Sequence, residues 1–293
     1  MQPVATIPVG NALGECVLWD DVRQAVWWTD ILARTLFRLQ WRDRALIRIP
    51  LPERLASFAF IAERPELLAA FADGLALFDP ENGTMSHVVR PEGLLPGQRL
   101  NDGRVDRQGR FWVGAMVEGP APRPEARLYC LDQGCCATRV SGLAIANTLC
   151  FSPDGTWCYC ADSAAGIIWR MPVDAATGAV GPRQELVRPS RGCPDGAAVD
   201  AEGYIWCALW GGSAVARYTP DGHLDWILEV PVTQPSCVAF GGPDLDHLFV
   251  TSAQTCLTAA QTGAGDLFVY NVGVRGLAES RFKFDGWLED SGR

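Results

Sequence analysis

Histidine is scarce in this chain, with three in 293 residues. His87, His223 and His247 fall in or beside segments that read as loops or turns. Neither a histidine-based zinc site nor a Ser-His-Asp triad is therefore expected. Basic charge is also short: 25 Lys and Arg face 34 Asp and Glu, for a formal net charge of −9. That argues against nucleic acid or an anionic membrane surface as the main partner. No apolar run is long enough to span a bilayer. The opening MQPVATIPVGNALGE has neither the charged n-region nor the apolar h-region of a secretory signal, so a cytoplasmic location is expected. Helical periodicity is poor throughout, and no linker or low-complexity stretch divides the chain. One domain over residues 1–293 is expected.

Cysteine is present in an odd and scattered set of eleven. Most fall in apolar runs, as do Cys150, Cys158, Cys160 and Cys207. Cys158 and Cys160, with Cys135 and Cys136 upstream, fit no zinc spacing. Reduced, buried thiols are expected.

What recurs from end to end is a short apolar strand, a turn, an aromatic-rich strand, a polar gap and a third strand. The second strands of successive units are AVWWTDI, ELLAAF, RFWVGAM, TWCYCADS, YIWCALW and HLFVTSA. Their centres, Trp27, Leu67, Phe111, Trp157, Ile205 and Leu248, are spaced by 40 to 48 residues. Six units of about four short strands predict an all-β fold, a six-bladed β-propeller. A single unit cannot cover both its faces, whereas radial stacking of six can. A segment near Ala5–Val9 is expected to close the ring with the last blade.

In a propeller the first strand of each blade lines the central channel. Three Pro-Asp-Gly triplets separate on this criterion. Asp154 and Asp221 lie between consecutive strands and read as hairpin residues. Asp195 does not, because the strand after it ends at its own turn, Asp200 to Gly203. Glu15, Asn101 and Asn147 precede or enter other first strands at what reads as the same phase as Asp195. An apolar run such as GLAIANTLCF does not bury an amide without a partner. Each residue alone has an ordinary loop reading; four in register point to one channel mouth.

Glu15, Asn147 and Asp195 offer two carboxylates and an amide oxygen, hard ligands suited to one divalent cation (Ca, Zn, Mn or Fe(II)) with open positions left over. Arg99 and Asn101 add a donor fork and an amide suited to hydroxyls or a carbonyl oxygen. Glu118, after the second strand of that unit and within GAMVEG, reads either as a further contact at that mouth or as a solvated loop carboxylate.

The stretches Leu13-Gly-Glu15, RLNDGRVDRQGRFWVGAM, ANTLCFSPDG, CPDGAAVDAEGYIWCALWGG and CVAFGGPDLDHLFVTSA resemble the senescence-marker-protein/gluconolactonase family, which includes regucalcin and sugar-acid lactonases. The resemblance runs from about Leu13 to Tyr270. It implies a six-bladed propeller with one divalent metal in the channel and hydrolysis of a sugar (aldono) lactone. Glu15, Asn147 and Asp195 match the family's metal ligands, and Arg99 and Asn101 match substrate-contacting positions. The chain departs in having Ala146 and Thr148 around Asn147, where the family usually has Pro and Gly, and Cys16-Val17 where it often has Gly-Pro. Asp195 is the candidate general base. The expected partner is a neutral small-molecule lactone, and the expected state a monomer or weak homo-oligomer. The alternative is a metal-binding regulatory propeller without turnover.

Overall fold

A computed structural model of the chain describes residues 1–284, and among these there is no helix. Strand β1 (Ala5–Ile7) stands apart from the first blade. Blade I is β2 (Gly14–Asp20), β3 (Ala25–Asp30), β4 (Thr35–Gln40) and β5 (Leu46–Pro50). Blade II is β6 (Leu55–Phe60), β7 (Leu67–Phe71), β8 (Gly74–Phe78) and β9 (Met85–Val89). Blade III is β10 (Gln98–Val105), β11 (Phe111–Val117), β12 (Ala126–Asp132) and β13 (Cys135–Leu143). Blade IV is β14 (Ala146–Phe151), β15 (Trp157–Asp162), β16 (Ile167–Pro172) and β17 (Gln184–Val187). Blade V is β18 (Cys193–Val199), β19 (Ile205–Trp210), β20 (Ala214–Tyr218) and β21 (Leu224–Glu229). Blade VI is β22 (Pro235–Gly241), β23 (His247–Ser252) and β24 (Leu267–Asn271), completed by β1 as its outermost strand. The expected six-bladed propeller is present. Its ring closes as the sequence suggests, with Ala5 opposite Val269 and Ile7 opposite Leu267.

The apolar strands need two covered faces, and the blades supply them. Successive side chains in a strand point to opposite faces. Trp27 therefore joins a cluster with Phe58 and Phe60 of blade II, while Trp28 joins one with Phe249 of blade VI. Both indoles are fully buried. Each large aromatic buried in this way contributes about 2–3 kcal/mol.

Hairpins joining first and second strands reuse one device. In Asp106-Arg-Gln-Gly109-Arg-Phe-Trp112 the Asp106 carboxylate accepts from the Gln108 and Arg110 amides and from Trp112 Nε1 at 2.9 Å. Asp200 does the same for Glu202, Tyr204 and Trp206 Nε1. One carboxylate so ties the turn to the core and satisfies two of its amides.

Beyond blade VI the chain crosses the propeller face at which the first strands end. The Ala201 and Gly276 amides bond across to Arg275 and Leu245 carbonyls. Glu279 pairs with buried Arg104 at 2.6 Å, and Arg281 reaches Asp20 at 2.7 Å. The Phe282 amide bonds to the Phe60 carbonyl. The strap covers that end of the channel, and the candidate residues sit at the other.

All eleven cysteines are free thiols. Seven are buried as expected, Cys136 and Cys193 are partly buried, and Cys135 and Cys256 are exposed.

Candidate functional site

The innermost strand of every blade carries a β-bulge near the open mouth. Pairing shifts between Glu15 and Leu18, Leu55 and Ser57, Leu100 and Gly103, Asn147 and Cys150, Pro194 and Ala197, and Pro235 and Val238. A bulge breaks strict alternation and re-aims the side chains beside it. Cys16 and Thr148 occupy left-handed backbone within two of these bulges, with φ of 46° and 57°.

The bulges correct the expectation of a single phase. Glu15 and Asn147 are the last paired residues before their bulges, opposite Thr29 and Ala161. Asn101 and Asp195 stand one step later, inside their bulges, after paired Leu100 and Pro194. The four residues occupy two adjacent register positions, and the bulge lets both face the channel. Asp195 lies in β18 and not in a turn. Asp154 by contrast accepts from Ser152 Oγ, the Thr156 amide and Thr156 Oγ1, and Asp221 is a turn residue ion-paired to Arg170 at 3.2 Å. Gly196, next to Asp195, is required by packing: a Cβ there would stand 2.8 Å from the Cα of Cys237 on the neighbouring inner strand.

Arg99, Asn101, Asn147 and the backbone at Asp195 are joined by a continuous set of contacts, while Glu15 is tied to Asp195 only by its charge. Arg99 Nη1 donates to Asn101 Oδ1 at 2.7 Å, and Asn101 Nδ2 donates to Asn147 Oδ1 at 2.8 Å. Asn147 Nδ2 donates to Ser163 Oγ at 2.8 Å, and Ser163 Oγ donates to the Pro194 carbonyl at 2.6 Å. Thr148 Oγ1 donates to the Asp195 carbonyl at 2.6 Å. Arg99, Asn101, Asn147 and Asp195 are all 5–7 % exposed. Glu118 sits at the rim, held by Arg54 in a two-point ion pair at 2.6 and 3.1 Å, with its Oε1 3.6 Å from Arg99 Nε. Arg54, Thr148 and Ser163 had no signal in the sequence beyond being polar residues near strand ends.

Charge at the site is unbalanced. Burial raises the Asp195 carboxyl well above the usual range, and Glu15 and Asp102 raise it further. Burial likewise raises Glu15, with Asp102 adding to the effect. Arg99 is pushed down to about 10 by burial, against the pull of Glu118 and Glu15. Glu118 itself is lowered by its hydrogen bonds from Arg54. Among the described residues neither Glu15 nor Asp195 has an ion-pair partner within 4 Å; Arg99 spends its contacts on Asn101 and Glu118.

No group of three or more His, Cys, Asp or Glu side chains arranged for a metal occurs among the described residues. The converging set has two carboxylates, and its third oxygen donor is the Asn147 amide. A buried and a partly buried carboxylate, neither ion-paired among the described residues, fit a hard divalent cation beside an amide oxygen; the cation would offset the desolvation and like-charge repulsion that raise both acids. Chemically, the arrangement can hold such a cation, accept a proton at Asp195 and donate to an oxygen-rich ligand from the buried fork of Arg99.

Comparisons with known proteins agree with the fold. The family described as SMP-30/Gluconolactonase/LRE-like region matches residues 13–254. A 6-deoxy-6-sulfogluconolactonase of Pseudomonas putida is 36% identical over 93% of this chain and 95% of its own. An L-arabinolactonase of Azospirillum brasilense is 39% identical over 93% of this chain and 92% of its own. The crystal structure of a calcium-binding protein, regucalcin, from Agrobacterium tumefaciens superposes with a TM-score of 0.91 at 33% identity, covering 97% of this chain and 99% of that one.

Proposed function

Because the chain belongs to the SMP-30/gluconolactonase/LRE-like family, we propose that it is a lactonase that hydrolyses a sugar lactone to the corresponding aldonic acid. The observation that carries the reading is full-length similarity, at 36% and 39% identity, to two relatives named for lactone hydrolysis. The convergence of Glu15, Asn101, Asn147 and Asp195 on one channel mouth supports it.

Hydrolysis adds water oxygen to the lactone carbonyl carbon and breaks its bond to the ring oxygen. Asp195, a buried carboxylate without an ion-pair partner among the described residues, takes the proton from the attacking water. That proton then goes to the leaving ring oxygen, which becomes the freed hydroxyl. Arg99 has one guanidinium nitrogen, Nη2, without an acceptor among the described residues, and it orients the ring hydroxyls; Asn101, whose two Nδ2 hydrogens go to the Ala146 carbonyl and Asn147 Oδ1, can meet substrate only as an acceptor at Oδ1. Glu118 narrows the rim through Arg99 and Arg54. Glu15, Asn147 and Asp195 would hold one divalent cation, which would polarise the carbonyl and acidify the water. Calcium, manganese, zinc and iron(II) all accept this donor set.

The test is proton release on adding gluconolactone, xylonolactone or arabinolactone, with a sulfonated gluconolactone as a fourth substrate, each before and after chelation. Metal-restored turnover of any one supports the reading. Cation binding without turnover of any would favour a regulatory, non-catalytic propeller, a reading motivated by the neighbour described as a calcium-binding protein.

A further inference from the structure

A primary amide has two similar ends, and only one can serve a cation. Which end of Asn147 faces the channel is decided by its hydrogen-bond partners, and the decision runs in one direction. Arg99 can only donate, so Asn101 must present Oδ1 to it. Asn101 is then left to donate from Nδ2, and Asn147 must present Oδ1 in return. Nδ2 of Asn147 then points away from Asn101 and needs an acceptor. Ser163 Oγ is that acceptor at 2.8 Å. The Ser163 hydroxyl hydrogen is free for this arrangement because it goes to the Pro194 carbonyl, which can only accept. The chain thus has a guanidinium at one end and a peptide carbonyl at the other, and no link can reverse. A flipped Asn147 would set one NH2 group against another and leave the Ser163 lone pair unmet.

Pro194 adds a second consequence, because its carbonyl belongs to the peptide that leads into Asp195. Ser163, in the turn just after β15, therefore fixes the Asn147 oxygen in blade IV and the entry to Asp195 in blade V with one hydroxyl. Thr148 holds the carbonyl on the far side of Asp195.

We propose that Ser163 is a positioning residue for cation binding: its hydroxyl orients the Asn147 amide oxygen toward the channel and anchors the backbone of Asp195. The inference rests on the reading of Glu15, Asn147 and Asp195 as a cation site. Groups that orient ligands from behind are worth about 10–100-fold in metal affinity.

The experiment is calorimetric titration of Mn²⁺ and Ca²⁺ into chelator-stripped protein, with melting of the metal-free form as a control. Ser163→Ala should bind about 10–100-fold more weakly than the wild type while the metal-free melting temperature changes little. Ser163→Thr, which keeps the hydroxyl, should bind within about threefold of the wild type. A carboxylate has two equivalent oxygens and no wrong end. In an Asn147→Asp background, Ser163→Ala should therefore cost less than in the wild-type background, with only the loss of the Asp195 backbone anchor remaining; an equal cost in both backgrounds overturns the orienting role. Should Ser163→Ala fail to fold, Ser163→Cys, a weak donor of similar size, takes its place. Equal affinity in Ser163→Ala and wild type overturns the inference alone, as does a Ser163→Thr as weak as the alanine variant. A wild type that takes up neither cation overturns the cation site itself and the inference with it.

Discussion

Replacing Asp195 by Asn separates a functional carboxylate from a structural one, because the two roles move stability in opposite directions. Asp195 is 5 % exposed, has no ion-pair partner among the described residues, and lies within the field of Glu15 and Asp102. Asn keeps the shape and removes the charge. In metal-free protein the substitution should relieve like-charge repulsion and desolvation, worth about 1–2 kcal/mol. For a chain of this size that raises the melting temperature by about 2–3 °C. On the proposed reading the same change removes the proton acceptor and a cation ligand. Loss of about 4 kcal/mol of transition-state stabilisation, at 1.36 kcal/mol per power of ten, lowers kcat/KM about 10³-fold or more. The other two Pro-Asp-Gly triplets are the controls. Asp154→Ala loses three turn hydrogen bonds and should cost about 1 kcal/mol with turnover within a few-fold. Asp221→Ala loses one surface ion pair and should change neither quantity measurably, because such pairs contribute about 0–1 kcal/mol. The assay is kcat/KM at saturating metal alongside metal-free thermal melting for all three variants. An Asp195→Asn enzyme within tenfold of wild type refutes the reasoning. So does a set in which all three lose activity in proportion to lost stability.

Metal analysis after reconstitution should give one divalent cation per chain; a ratio near zero with Ca²⁺, Mn²⁺, Zn²⁺ and Fe²⁺ alike would remove the cation from the proposal. Thiol labelling should find Cys135 and Cys256 reactive in the native protein and all eleven after denaturation without reductant. Burial pushes Cys130, Cys160 and Cys207 up to about 12, so raising the pH to about 9 should not expose them to label. Glu279→Ala leaves Arg104, 7 % exposed, without its ion-pair partner at the strapped end of the channel. Stripping a buried charge of its partner costs about 3–5 kcal/mol. Melting should fall accordingly, with kcat/KM at 25 °C held within a few-fold, since the strap lies at the opposite end from Asp195.

The blades were legible because their physics is local. Each second strand is apolar on both faces, and a strand such as AVWWTDI has to be covered twice, which only stacking in a ring provides. The contrast between Asp195 and its two lookalikes was legible for a related reason: Asp200 already supplied the hairpin turn that Pro194-Asp195-Gly196 would otherwise have made. The register of the site was not legible. Counting along a strand assumes alternation, and every inner strand breaks alternation at the mouth, so residues one step apart in phase, Asn147 and Asp195, reach one channel. Nor could Ser163, Thr148 or Arg54 be found by pattern. Their importance lies in what they hold, the Pro194 carbonyl, the Asp195 carbonyl and the Glu118 carboxylate, and each of those contacts joins different blades. Inter-blade contacts are where a propeller has freedom to differ from its relatives without altering a single strand. Ala146 and Thr148, which flank Asn147 in place of the expected Pro and Gly, lie at such a contact. Thr148 brings a hydroxyl that a glycine there would lack, and that hydroxyl grips Asp195 across the blade boundary. The hydroxyl so adds a contact between blades IV and V next to Asn147.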